Sequence, residues 1–219
     1  MRNFQDFLNR AIRYIYRYIG CYYYKSFLGR FGGGVIRVIP YVWHKARFKE
    51  FHFSDRIINP ILLTPKYIEL EEHVHIRDNA RIEGVSRYND KLFRPNIRVC
   101  SGVSIEQNLH LTCANSVCIG KNTAIAANVT ITDISHPYIN IDIPIEHQDI
   151  EVDEVVIGED CKIYNNVVIL PGVHIGRHVT IGANSVVNCD ISDYSIAVGS
   201  PARVVKCYDF NKKEWIKVK

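Results

Sequence analysis

The stretch IGEDCKIYNNVVILPGVHIGRHVTIGANSVV, residues 157–187, decides the fold. A branched aliphatic residue stands at every sixth position: Ile157, Ile163, Ile169, Ile175, Ile181 and Val187. Two residues before each stands a small or β-branched one: Val155, Cys161, Val167, Val173, Val179 and Ser185. A period of six matches neither the 3.6 of an amphipathic helix nor the plain alternation of a half-buried strand, although alternate residues within each unit share a side. The physical solution is a solenoid with three short strands per turn, in which equal positions stack along the axis about 4.8 Å apart. Glycine follows the aliphatic position at Gly158, Gly176 and Gly182, where a tight corner tolerates positive φ.

The register continues upstream. Ile119, Ile125 and Ile131 follow Val117, Thr123 and Val129; Val99, Ile105 and Leu111 follow Ile97, Val103 and Leu109; Leu70, Ile76 and Ile82 follow Ile68, Val74 and Ala80. Groups of three, three, three and six units make about five coils. Two insertions break the series, GVSRYNDKLFRPN at 84–96 and DISHPYINIDIPIEHQDIEVDE at 133–154, with a two-residue slip between Leu111 and Ile119. Insertions in a solenoid become outside loops and commonly form its binding face.

Composition sets the surroundings. The 219 residues are 47% hydrophobic and 23% charged, which excludes collagen-like and disordered classes. A net charge of +4 carries no case for nucleic acid, and none is expected as a partner. Seven cysteines without a paired framework fit a reduced, cytoplasmic protein. Arg2, Arg10, Arg13 and Arg17 interrupt the N-terminus, against a cleaved signal, and no uncharged apolar run reaches the roughly 18 residues of a membrane span.

The six-residue units resemble the [Ile/Leu/Val]-Gly-X4 repeat of the hexapeptide-repeat acyltransferases. The resemblance implies an all-β, left-handed parallel β-helix. The left hand comes from the resemblance alone, because parallel crossovers ordinarily turn right-handed. Residues 119–138, IGKNTAIAANVTITDISHPY, are similar to the region of maltose and galactoside O-acetyltransferases in which a loop opening with His-Pro carries the catalytic base. His136 falls on that position. An imidazole near pKa 6.5 suits the task of drawing a proton from a sugar hydroxyl and returning it to a departing thiolate. Direct attack needs no acyl-enzyme, and Cys161 reads as an inward filler.

Further site residues follow from the same resemblance. Asn108, in NLHLT, matches the first asparagine of an Asn-X-Asn-Leu-Thr segment that contacts the acceptor sugar; His110 replaces the second asparagine. The closing GSPARVVK, residues 199–206, resembles a coenzyme A signature, which puts Arg203 and Lys206 beside phosphates. Asn165 matches a position whose backbone N–H faces the thioester, Ala183 one lining the pantetheine channel, and Tyr164 replaces a neighbouring glycine. The donor so implied is acetyl-CoA and the acceptor a sugar or polysaccharide hydroxyl, as in surface-polysaccharide modification. Transfer to the amine of an amino or nucleotide sugar is the alternative. The family assembles as homotrimers with the site between neighbours.

Three segments are expected: 1–60, a basic and aromatic helical segment; 61–206, the β-helix; and 207–219, a tail. Phe4, Phe7, Leu8, Ala11, Ile12, Ile15, Tyr18 and Ile19 give residues 3–19 an amphipathic helical spacing. That helix either caps the first coil or attaches to an anionic membrane surface, which would make the protein membrane-peripheral. The large helical domain of serine acetyltransferases has no room here. A zinc site of the γ-carbonic-anhydrase kind would draw on His174 and His178, but it leaves GSPARVVK unexplained, so no metal is expected.

Overall fold

A computed structural model describes residues 41–218. The helix expected over residues 3–19 and the aromatic and glycine-rich stretches at 22–34 lie outside the described residues. Strands dominate, and nearly all are two to four residues long and belong to three parallel ladders visited in rotation.

The first ladder stacks Ile68–Leu70, Asn96–Val99, Ser116–Ile119, Val155–Ile157 and His174–Ile175. The second stacks Arg56–Ile57, His75–Ile76, Ser104–Ile105, Ala124–Ile125, Lys162–Ile163, Thr180–Ile181 and Ser195–Gly199. The third stacks Leu62–Leu63, Arg81–Gly84, His110–Cys113, Thr130–Thr132, Val168–Ile169 and Val186–Val187. The six-residue period sets the register. Ile125 pairs with Ile105 on one side and Ile163 on the other, so equal positions lie over one another. Every inward aliphatic position of the repeat, and every residue two before it, is buried. Each strand is too short to hold alone, and its backbone bonds come from the coils above and below.

Three features depart from the sequence reading. The second ladder already begins at Arg56, so β-structure reaches back across the boundary expected at residue 60. The boundary at 206 falls inside a strand: Ala202–Asp209 folds back antiparallel on Ser195–Gly199, and Glu214–Lys217 pairs with it in turn. That hairpin covers what would otherwise be an open sheet edge.

The corners are also built differently. Gly158 and Gly176 do not need positive φ. A Cβ on Gly158 would lie 2.5 Å from the Gly176 carbonyl oxygen, so it is the close passage of the next coil that demands glycine. Positive φ falls instead on asparagine. Asn79, Asn108, Asn128, Asn166 and Asn184, with φ between 59° and 63°, form one corner column between the second and third ladders. Asparagine tolerates this left-handed conformation better than other residues with a Cβ. Its amide also stacks, each Nδ2 donating to the next Oδ1 at 2.8–3.1 Å.

Candidate active site

Both insertions leave the corner between the third and first ladders. The first joins Arg81–Gly84 to Asn96–Val99, and the second joins Thr130–Thr132 to Val155–Ile157. Between them lies the tight corner from Cys113 to Ser116. The buried Asp133 carboxylate holds that corner by accepting the backbone N–H groups of Ala114 at 2.8 Å, Asn115 at 2.7 Å and Ser116 at 2.8 Å. The long loop therefore springs from a residue that fastens the neighbouring coil. Just beyond it, Ile134–Ser135 pairs antiparallel with Glu151–Val152 and pinches the loop, while Ile150 is buried beneath.

His136 is the first residue past the pinch. Its ring is exposed and stands edge-on to Tyr88, with centroids 5.4 Å apart and planes at 74°. Tyr88 comes from the first insertion, in the small hairpin formed by Arg87–Tyr88 and Lys91–Leu92. Its hydroxyl lies 2.9 Å from both the backbone oxygen and Oε2 of Glu146 in the second. The Glu146 carboxylate beside it holds the phenol above its ordinary pKa. Asn89 Nδ2 donates to the Gln148 carbonyl at 3.3 Å, and Gln148 Nε2 donates to the carbonyls of Asn140 and Ile143. The two insertions thus meet at His136.

A second cluster lies at the other end of the third ladder. Tyr164, Asn165 and Ala183 are exposed at successive coils of the corner that carries the asparagine column. The Asn165 carbonyl accepts the Asn184 N–H at 3.0 Å, while its own N–H has no partner among the described residues. Lys162 Nζ sits 5.5 Å over the Tyr164 ring.

Arg203 and Lys206 join this face through a β-bulge. Residues three apart in a regular strand point to opposite sides. Here the register shifts between Ile196 and Ala197, so Arg203 pairs with Val198 and Lys206 with Ile196, two residues on one side of their own strand. Val204 pairs with the buried Ala197 and packs on the core. Arg203 Nη1 donates to the Ala202 carbonyl at 2.7 Å, and among the described residues neither Arg203, Lys206 nor Lys162 has an acidic partner within 4.0 Å. The turn before them is fixed by Ser185, whose hydroxyl accepts the Gly199 N–H at 3.0 Å and donates to the Gly182 carbonyl at 2.7 Å.

Asn108 is a member of the asparagine column. Its Oδ1 accepts from Asn79 and its Nδ2 donates to Asn128, so both ends of the amide serve the coil stack. It precedes the strand His110–Cys113, whereas His136 follows Thr130–Thr132, which puts the two at opposite ends of the third ladder. One chain therefore gathers Tyr164, Asn165, Ala183, Arg203 and Lys206 at one end of that ladder and leaves His136 at the other.

Comparison with known proteins now adds to this geometry. Residues 154–189 match the bacterial transferase hexapeptide model of six repeats. The chain is 32% identical over 181 residues to the putative lipopolysaccharide biosynthesis O-acetyl transferase WbbJ of Escherichia coli K12, covering 74% of this chain and 92% of that one. The chain belongs to the hexapeptide-repeat transferase family. That repeat implies a left-handed β-helix, in keeping with the three parallel ladders. The transferase is also 34% identical over 136 residues to the galactoside O-acetyltransferase of Escherichia coli K12, covering 60% of this chain and 62% of the relative. Among solved structures it resembles AntD, an N-acyltransferase from Bacillus cereus in complex with dTDP and 3-hydroxybutyryl-CoA, with a TM-score of 0.63 at 18% identity over 78% of this chain and 89% of that one. At that identity the likeness is one of fold.

The remaining chemistry of this transferase is quiet. Cys161 is buried in the aliphatic column, its thiol pushed up by burial, and Cys100 is pushed up to about 12 for the same reason first. Neither is poised as a thiolate at neutral pH. Among the described residues no three His, Cys, Asp or Glu side chains converge as metal ligands. His174 lies 3.6 Å from Glu154, and His178 stacks on Trp215 at a 6.5 Å centroid distance. No helix among the described residues is long and apolar enough to cross a membrane. Asp133, Tyr88 and the asparagine column were not singled out from sequence; only the asparagines left a readable signal, one residue type recurring at a fixed place in successive coils.

Proposed function

We propose that this transferase moves an acetyl group from acetyl-CoA to a sugar hydroxyl, in modification of a surface polysaccharide or oligosaccharide, with His136 as the general base. The observation that carries this reading is the meeting of both insertions at an exposed His136, whose ring Tyr88 of the first insertion contacts. The names of the two Escherichia coli relatives, an O-acetyl transferase at 32% identity and a galactoside O-acetyltransferase at 34%, support transfer to oxygen rather than to an amine.

The donor set suits the proposed acyl donor. Arg203, Lys206 and Lys162, without an acidic partner among the described residues, fit phosphate oxygens, and the Tyr164 ring offers a flat surface beside Lys162. Acetyl-CoA supplies an activated acyl carbon. The His136 imidazole takes the proton of the acceptor hydroxyl as its oxygen attacks that carbon, and the Asn165 N–H donates to the oxygen on which charge develops. As the carbon–sulfur bond breaks, the imidazolium returns the proton to the leaving sulfur, so the base is regenerated. Asn108, with its amide already engaged, would present its remaining acceptor capacity to the sugar.

Because His136 and the cofactor residues stand at opposite ends of the third ladder, a complete site needs a second copy. A homotrimer, with the His136 corner of one chain against the Asn165 and Arg203 face of the next, meets that need. The test is release of free thiol from acetyl-CoA with a panel of free sugars, nucleotide sugars and polysaccharides, followed by mass analysis of the product. An ester on a sugar hydroxyl is expected; an amide, or no acceptor-dependent thiol release, would contradict the proposal.

A further inference from the structure

An exposed histidine on a loop turns freely about its side-chain bonds, and a general base works only when one nitrogen is aimed at the hydroxyl it serves. The first insertion supplies what holds this one. Tyr88 meets the His136 ring edge-on at 5.4 Å and 74°, the geometry favoured by aromatic pairs. The Tyr88 ring is anchored from its far end, where the hydroxyl sits 2.9 Å from both the Glu146 backbone oxygen and its carboxylate. One residue on, Asn89 donates to the Gln148 carbonyl, a second tie between the same two loops. The hairpin is itself closed by the Arg87 and Leu92 pairing, and Arg87 Nε donates to the Asn89 carbonyl at 3.1 Å.

We infer that Tyr88 is a positioning residue for His136: braced by Glu146, its ring fixes the imidazole orientation, and the first insertion exists in this chain to deliver it. The inference rests on the assignment of His136 as base. Two parts of Tyr88 have separable tasks. The ring bears on His136, while the hydroxyl ties the hairpin to the long loop, so Tyr88→Phe keeps the first and loses the second, and Tyr88→Ala loses both.

The experiment uses the full chain with acetyl-CoA and the best acceptor, and compares wild type, Tyr88→Ala, Tyr88→Phe, His136→Ala and the Tyr88→Ala/His136→Ala double variant. Tyr88→Ala is expected to lower kcat about tenfold or more with the acetyl-CoA KM within about twofold, and Tyr88→Phe to recover most of the loss. On the His136→Ala background, Tyr88→Ala is expected to add less than about a twofold effect, because the two residues act as one unit. Wild-type kcat in Tyr88→Ala, or an undiminished loss on the His136→Ala background, would overturn the inference. Full turnover in His136→Ala would instead overturn the base assignment. The NMR shift of the His136 Cε1–H provides a readout independent of turnover: the Tyr88 ring current should vanish in Tyr88→Ala and persist in Tyr88→Phe, and an unmoved resonance in Tyr88→Ala would overturn the contact itself.

Discussion

The Asp133 carboxylate accepts the backbone N–H of Asn115 at 2.7 Å, and through it the root of the long loop and the corner of the neighbouring coil are one structure. Ala114 and Ser116 donate to the same group. Replacing Asp133 by Ala takes the shared acceptor from the buried Ala114 N–H and the part-buried N–H groups of Asn115 and Ser116, at a cost of about 3 kcal/mol. A fall in Tm of roughly 10 °C is expected for a chain of this size. A calorimetric scan checks it, and an unshifted Tm would show that water or relaxation satisfies the corner.

The asparagine column offers a cleaner separation of effects. Asn128 adopts φ 61° and uses its amide on both sides, toward Asn108 and Asn166. Asn128→Gly loses only the amide bonds, whereas Asn128→Ala also places a Cβ in the left-handed region at a further cost of about 1 kcal/mol. Urea midpoints should rank wild type, then Gly, then Ala. The same pair at Asn108 separates its structural task from the proposed contact with the sugar: a rise in acceptor KM with Asn108→Gly beyond what Asn128→Gly produces would mark direct contact.

How much of this was legible beforehand follows from what each residue answers to. The buried column from Leu70 to Val187 is set by a short-range period and packing along one axis, so its positions could be read without knowing the structure. The insertions were equally plain, as gaps in that period. Spacing places Gly158 at its corner but does not give the reason glycine is needed there, because the close passage of Gly176 is a contact between coils that spacing alone does not reveal. Tyr88 and Glu146 come together from different insertions, and nothing local in either loop announces the other. Asp133 lay at the edge of a recognised insertion, yet its task depends on the backbone of residues 114–116, which have no periodic mark.

Arg203 and Lys206 test the phosphate face. Arg203→Ala should raise the acetyl-CoA KM about tenfold with little change in kcat, the size of one lost charge-assisted contact. Lys206→Ala, which the bulge places on the same side of its strand as Arg203, is expected to raise the acetyl-CoA KM by a similar factor. Steady-state kinetics on both variants checks this, and an unchanged KM in either would count against the face.

His44 makes stability depend on acidity. Burial, assisted by the charge of Arg47, lowers its pKa to about 4, against Phe48 and Phe51 rings 5.4 and 5.0 Å away. The unfolded chain binds a proton near pH 6.5 and the folded one does not until about 4, so the contribution of His44 is whole above about 6.5 and falls away as pH drops to 4. About 2 kcal/mol should be lost between pH 7 and 5. Urea unfolding at both values should show that loss in wild type and a smaller one in His44→Phe; equal losses would remove His44 from this role.

His136→Ala bears most directly on the whole reading. Its kcat for acetyl transfer should fall at least about a hundredfold, the scale of a lost general base, while the Kd for coenzyme A, measured calorimetrically on the same preparation, stays within about twofold of wild type. A variant that still turns over within about twofold of the wild-type kcat would contradict the assignment of His136 as the base.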